Sequence, residues 1–151
     1  VLGRRPGRPE LRSFGTEVFP DTRELMSWTI GDHGFEMRLP PRVPVVLRRH
    51  VASWAEPWLG SQGLRVADVT GWAVHPGGKD ILEAVRQGLG LDADAMADSR
   101  AVLDAHGNMS SSTVLWVLDA AIRRGVTGPI AALAFGPGLT GEAMLVHVPE
   151  R

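Results

Sequence analysis

Hydrophobic residues recur at two different spacings along this 151-residue chain, and the switches between those spacings predict its elements. Glu10 to Phe19 carries residues that suit a strand and ends at Pro20-Asp21, a turn signal. Arg23 to Ile30, with Leu25, Met26, Trp28 and Ile30, fits neither period and predicts no definite element. Phe35, Met37 and Leu39 alternate with Glu36 and Arg38, which predicts a strand with one buried face, stopped by Pro40-Pro41. From Arg42 the period lengthens: Val43, Val46, Leu47, His50, Val51, Trp54 and Trp58 repeat at helical spacing. Pro44 suits the first turn of that helix and Gly60 is expected to end it. His50 falls on the apolar stripe and reads as a core residue.

Ser61 to Val69 reads as a loop leading to a short apolar strand, Gly71-Trp72-Ala73-Val74, which delivers His75 to Pro76-Gly77-Gly78 and then opens a helix at Lys79-Asp80. Gly77-Gly78 is expected to supply turn conformations that a side chain would forbid, and Asp80 suits a helix start electrostatically. Ile81, Leu82, Val85 and Leu89 make that helix amphipathic, with Gly88 and Gly90 closing it. Asp98 or Ser99 is expected to cap a shorter helix that ends at Gly107. Val114, Leu115, Val117, Leu118, Ala121 and Ile122 spread over a broad apolar face, and Arg123-Arg124 followed by Gly125 closes their helix. Ile130 to Phe135 and Ala143 to Val148 are two final strands separated by Gly136 to Gly141. The order of strands and helices is that of an α/β layout, a sheet covered by helices.

Composition changes this picture in one respect. The proportions, 44% hydrophobic and 22% charged, are ordinary for a globular domain, and a net charge of -1 offers no broad attraction for nucleic acid or an anionic membrane. Arg4, Arg5 and Arg8 stand in a short Pro/Gly-rich opening that reads as a solvated loop. No apolar run approaches the roughly 20 residues that span a bilayer, and no signal-peptide pattern opens the chain, so a cytoplasmic location is the default expectation. Lys79 is the only lysine among many arginines, a bias that hints at a GC-rich bacterial genome. Cysteine is absent, which excludes disulfides, thiolate metal ligands and a thiol nucleophile from this chain.

Three polar elements interrupt the apolar periodicity: the His75-Pro76-Gly77-Gly78 end of a strand, Gly107-Asn108-Met109-Ser110-Ser111 at the entry to a helix, and Phe135-Gly136-Pro137-Gly138-Leu139 after a strand. Together they resemble the type III polyketide synthases, the chalcone and stilbene synthase family, over its C-terminal half only. The resemblance implies the thiolase-like fold, whose complete form packs two α/β halves as an αβαβα sandwich. On that reading residues 1–17 are the end of the N-terminal half with the connecting strand, and 18–151 are the C-terminal domain. A half alone should leave an apolar face where the other half belongs.

The resemblance also implies roles. His75 and Asn108 are the expected catalytic pair, donating to one thioester oxygen as it becomes negative when malonyl-CoA loses carbon dioxide. The nucleophilic cysteine is expected in the missing N-terminal half, where His75 would favour its thiolate. Phe135, Gly136, Pro137 and Gly138 are the expected cavity wall. Met37 falls where the family places an entrance phenylalanine, counting back from Val43-Pro44, so the starter acyl group is expected to differ from a coumaroyl unit. Met26 and Trp28 stand as further cavity residues or as core. Ser110 reads as a cavity-facing or helix-start residue, and no Ser-His-Asp spacing accompanies it. Asn108 has a second reading as a helix cap, which uses its side-chain oxygen where catalysis uses its nitrogen.

Two motif matches fail on context. Gly136-Pro137-Gly138-Leu139-Thr140-Gly141 spells G-x-G-x-x-G, but a strand follows it where a dinucleotide site needs a helix. Gly77-Gly78-Lys79 lacks the Ser/Thr of a P-loop, having Asp80 instead. The expectation is therefore an acyltransferase half with coenzyme A thioesters as substrates, no resident cofactor and no metal. Its partners would be malonyl-CoA, an acyl-CoA starter and the N-terminal half, in a homodimer when complete, and the isolated chain should be inactive. A ketoacyl synthase half of fatty-acid synthesis, and a non-catalytic α/β binding or assembly module, are the alternatives.

Overall fold

The structure is a computed structural model and describes residues 7–150. Its elements run β1 (Glu10–Val18), β2 (Ser27–Gly31), β3 (Gly34–Arg38), α1 (Arg42–Ser61), β4 (Gly71–Val74), α2 (Lys79–Gly88), α3 (Ala97–His106), α4 (Thr113–Arg123), β5 (Gly128–Gly136) and β6 (Thr140–Val148). Four strands form one sheet in the order β1-β6-β5-β4, with β4 parallel to β5 and the other pairs antiparallel. A parallel pair requires a long crossover, and α2, α3 and α4 supply it. β2 and β3 form a separate hairpin.

Strand alternation assigns each face of the sheet its own helical layer. Trp72, Val74, Leu133 and Leu145 pack in one core with Leu47, Val51 and Trp54 of α1 and Leu82 and Val85 of α2. Ala73, Ile130, Ala132 and Val146 pack in a second core with Val102 of α3 and Val117, Leu118 and Ala121 of α4. The α1 and α2 helices approach closely at Gly88, where an added Cβ would stand 2.5 Å from Val51 Cγ1 and 2.8 Å from the Arg48 carbonyl oxygen. Gly88 thus lies within α2 as a packing contact, and Gly90, with φ of 65°, supplies the turn after it.

Several local expectations are corrected. The α1 helix runs through Gly60 to Ser61, because the next residues, Gln62 and Gly63, satisfy its terminal carbonyls. No side chain caps α3: Asp98 pairs with Arg124, and Ser99 is buried with its Oγ accepting from the Val74 N–H at 3.2 Å. A cap role at Ser99 gives way to tying α3 to the outer edge of β4. The Gly77-Gly78 pair supplies no left-handed turn, since neither has a positive φ in that range and Gly78 is extended with φ of 165°.

The hairpin departs furthest from its pattern. Arg23 to Ile30, which predicted nothing definite, holds all of β2 but its last residue, and its signal was blurred because Leu25 belongs to the preceding turn, with its N–H on the Thr22 carbonyl. Pairing Trp28 with Met37 and Ile30 with Phe35 places these four side chains on one face. That face is open: Ile30 is 80% and Phe35 70% exposed, against the expected buried face. Phe14 and Val18 of β1 are exposed as well, on the α3/α4 side of the sheet beyond where those helices reach.

Candidate active site

A cavity of about 510 Å³ opens at the carboxyl ends of β4 and β5. His75 enters it from β4, Asn108, Ser110 and Ser111 from the turn before α4, Ala134 to Pro137 from the end of β5, and Met26, Trp28, Met37 and Leu39 from the hairpin region. Residues from four separated parts of the chain therefore meet at one opening, which is where α/β sheets place their ligands.

The position of His75 is set by the sheet. Its backbone N–H donates to the Leu133 carbonyl at 2.7 Å, extending the β4–β5 ladder one residue past the Val74–Leu133 pair. Two residues beyond buried Ala73, it faces the α3/α4 side. The imidazole is half-buried, and its desolvation pushes the pKa below the ordinary histidine range, so the ring is neutral near pH 7. Its Nδ1 is buried without a hydrogen-bond partner among the described residues, which leaves Nε2 as the nitrogen able to serve the cavity. An added Cβ at Gly77 would stand at ordinary contact distance, 3.6 Å from Ile81 Cγ1 and 4.0 Å from His75 Cδ2, so packing beside the ring does not demand a glycine.

Asn108 is presented by a tight turn. The Ser110 N–H donates to Asn108 Oδ1 at 2.8 Å, so the oxygen is committed to the turn and the Nδ2 hydrogens are free of it. Ser110 adopts φ of 61°, uncommon for a residue with a side chain, and a buried threonine holds it there. The Thr113 hydroxyl accepts from the Met109 N–H at 2.9 Å and donates to the Ser110 carbonyl at 2.8 Å. The helix itself starts at Thr113, after a single 3₁₀ turn at Ser110–Ser112. Asn108 thus precedes the helix by a full turn and caps the turn instead of the helix.

The loop after β5 divides between two places. Phe135, Gly136 and Pro137 border the His75 cavity, although the Phe135 ring lies edgewise against Trp54 of α1 at 6.3 Å. Gly138 borders a separate open depression with Val18 to Glu24 and Thr140. Its φ of 131° and the 2.6 Å that would separate an added Cβ from Thr140 Oγ1 explain the glycine by the turn. Buried Thr22 anchors that turn: its hydroxyl accepts from the Leu139 N–H at 2.7 Å and donates to the Phe19 carbonyl at 2.6 Å. The strands run further than expected, with Gly136 paired to Thr140 and Phe135 to Gly141, so Pro137 to Leu139 is a tight hairpin connection between β5 and β6, which removes the dinucleotide match.

Met37 lines the cavity, and so do Met26 and Trp28. Ile81, Ala134, Leu39, Ser111 and Glu142 were missed, and only the register of β4, β5, β6 and β1 could have indicated Ala134 and Glu142. His50 sits half-buried against Phe19, with ring centroids 6.1 Å apart, away from the cavity lining. Among the described residues no group of three or more potential ligands could hold a metal, and no helix is long and apolar enough to cross a membrane.

Residues 10–149 match the family of chalcone and stilbene synthases, C-terminal domain. The chain belongs to that family. It is 35% identical over 151 residues to 1,3,6,8-tetrahydroxynaphthalene synthase of Streptomyces peucetius subsp. caesius, covering 96% of this chain and 40% of that protein. It is 31% identical over 150 residues to the alpha-pyrone synthesis polyketide synthase-like Pks18 of Mycobacterium tuberculosis, covering 97% and 38%. Polyketide synthase 37 of Dictyostelium discoideum is 32% identical over 148 residues, 92% of this chain but 5% of that one. The crystal structure of PKS-I from the brown alga Ectocarpus siliculosus superposes with a TM-score of 0.91 at 29% identity, covering 97% of this chain and 41% of that one. The thiolase-like fold expected of a chalcone and stilbene synthase C-terminal domain is thus the fold observed. The chain spans about two-fifths of the length of the bacterial relatives it matches.

Proposed function

We propose that this chain is the C-terminal half of a type III polyketide synthase and supplies its oxyanion site. The carrying observation is the convergence of His75 and Asn108, 33 residues apart in sequence, on one cavity. His75 offers a neutral N–H at Nε2 and Asn108 an uncommitted Nδ2, two donors that need not change charge when an oxygen between them becomes negative. When the malonyl thioester loses carbon dioxide, the electron pair of the broken carbon–carbon bond moves onto the thioester oxygen as an enolate, which these donors stabilise. The enolate carbon then attacks the acyl thioester held on cysteine; a carbon–carbon bond forms and the thiolate leaves. That cysteine belongs to the N-terminal half, so the isolated chain is inactive.

On this reading residues 1–17 include the connecting strand and 18–151 the C-terminal domain. Met37, Phe135, Gly136, Pro137 and Ser110 shape the space for the acyl chain, and Gly138 acts by holding the turn. Coenzyme A thioesters are substrates, the complete protein is a cytoplasmic homodimer, and no resident cofactor takes part. The test is Asn108→Asp in the complete protein, because aspartate keeps the oxygen that accepts from Ser110 and loses the donor. Malonyl-CoA decarboxylation should fall by roughly 10²–10³-fold, with an unchanged unfolding midpoint. A rate equal to the unaltered protein's would remove Asn108 from the site. A complete protein with no activity on malonyl-CoA would return the chain to a ketoacyl synthase-like half or a non-catalytic module.

A further inference from the structure

The strand register builds a row across the sheet at the level of His75. Ala134 follows Leu133, the partner of Val74, and pairs across β5–β6 with Glu142, which in turn pairs across β6–β1 with Thr16. All four side chains belong to the α3/α4 face, since Ala73, Ala132 and Val146 on the same alternation are buried against those helices. Two strand spacings, roughly 10 Å, separate the backbones of His75 and Glu142. In the register Ala134, whose side chain is a single methyl group, stands between them, and all three residues line the one cavity.

Among the described residues, Glu142 is the only acidic one lining this cavity, amid Met26, Trp28, Met37, Leu39, Ile81 and Pro137. Glu142 and Thr16 are both exposed at the rim, and one oxygen, Oε2, accepts from the Thr16 hydroxyl at 2.7 Å, which draws the carboxylate toward β1, at the end of the floor far from His75. The other, Oε1, makes no hydrogen bond to a described residue. An ionised carboxylate only accepts hydrogen bonds, so its complement is an O–H donor, and it repels another carboxylate.

We propose that Glu142 is a specificity-determining residue, the hydrogen-bond acceptor for a hydroxyl or enol group of the acyl chain as it grows away from His75. This rests on the proposed polyketide synthase reading. A chain carrying alternate carbonyl groups offers enol O–H donors at regular intervals, whereas a saturated acyl chain offers none. The carboxylate, held by Thr16, selects the fold of the chain in which such a donor reaches the far end of the floor. It equally disfavours a malonyl carboxylate at that end, keeping the extender unit beside His75 and Asn108.

The experiment compares product distributions of the complete protein and its Glu142→Gln, Glu142→Asp and Thr16→Val variants, with malonyl-CoA and one acyl-CoA starter, each variant's fold checked by thermal unfolding. Glutamine keeps size and an acceptor for Thr16 but halves the acceptor capacity and removes the charge. Its main product should drop several-fold in share in favour of early-released or differently cyclised chains. Aspartate should retain most of the original profile, and Thr16→Val should shift it in the same direction as glutamine by a smaller factor. If Glu142→Gln does not fold, the Thr16→Val profile decides alone. Profiles that superimpose on the unaltered protein, or equal shifts for glutamine and aspartate, would overturn the role of the charge. An unaltered protein that makes no polyketide would instead overturn the underlying reading.

Discussion

The two walls of the His75 cavity are held in opposite ways. His75 directly follows β4 and Ala134 lies near the end of β5, strands hydrogen-bonded within a four-stranded sheet between two helical layers, with their neighbours Val74 and Leu133 fully buried. Trp28 and Met37 stand on a ribbon whose strands pair only with each other and whose apolar face is exposed. A two-stranded ribbon is marginal by itself, whereas a core strand opens only with the whole domain. On the proposed reading the difference teaches a division of labour: His75 is held by the ladder of the sheet, while Trp28 and Met37 come from an element able to adjust to an acyl chain of variable shape.

Three measurements would break or sharpen that contrast. The largest effect is expected at the floor of the sheet wall, where Leu133→Ala removes a fully buried side chain between α1 and β6. Unfolding in urea should show a loss of about 2–5 kcal/mol; a loss below ~1 kcal/mol would mean that the sheet wall is no more firmly held than the ribbon.

An intermediate effect is expected in acid. Desolvation holds the His75 pKa below its ordinary value, so the folded state binds fewer protons than the unfolded chain once the pH drops past about 6.5. Stability should decline with falling pH from there until the depressed folded value is passed, beyond which both states are protonated. In His75→Gln that part of the decline should disappear, and an identical pH profile would place the imidazole in water.

The smallest effect is expected at the ribbon. Ile30→Ser should change the stability of this segment by no more than about 0.5 kcal/mol, because the side chain is already in water. In the complete protein the same change should cost about 1.5 kcal/mol or more if the N-terminal half covers this face. Equal small costs in both would leave the ribbon exposed in the complete protein.

Much of the fold was legible because period and punctuation agreed. Helical spacing from Val43 to Trp58 marked α1, the apolar run before His75 marked β4, and the Arg123-Arg124-Gly125 close marked the end of α4. Of the expected site residues, His75, Asn108, Ser110, Met37, Phe135, Gly136 and Pro137 line one cavity, while Gly138 serves the adjacent turn. Glycines were read less well: conformational freedom was expected at Gly77-Gly78, and neither takes a left-handed φ. Gly88 read as a stop signal and is a contact between helices, a fact that depends on α1 and cannot be seen from α2 alone.

What the sequence by itself determined was local: which residues could be strand or helix, which side chains share a face, and that a histidine, an asparagine and a glycine-rich turn interrupt the apolar pattern. Such information lies in spacing over a few residues. Only the tertiary structure decided which faces are covered, and so left Phe35 open where alternation predicted burial. The structure alone also placed Glu142 on one floor with His75, through two strand pairings that no local period encodes. Registers between distant strands are set by the packing of whole faces, and the site is assembled at that level.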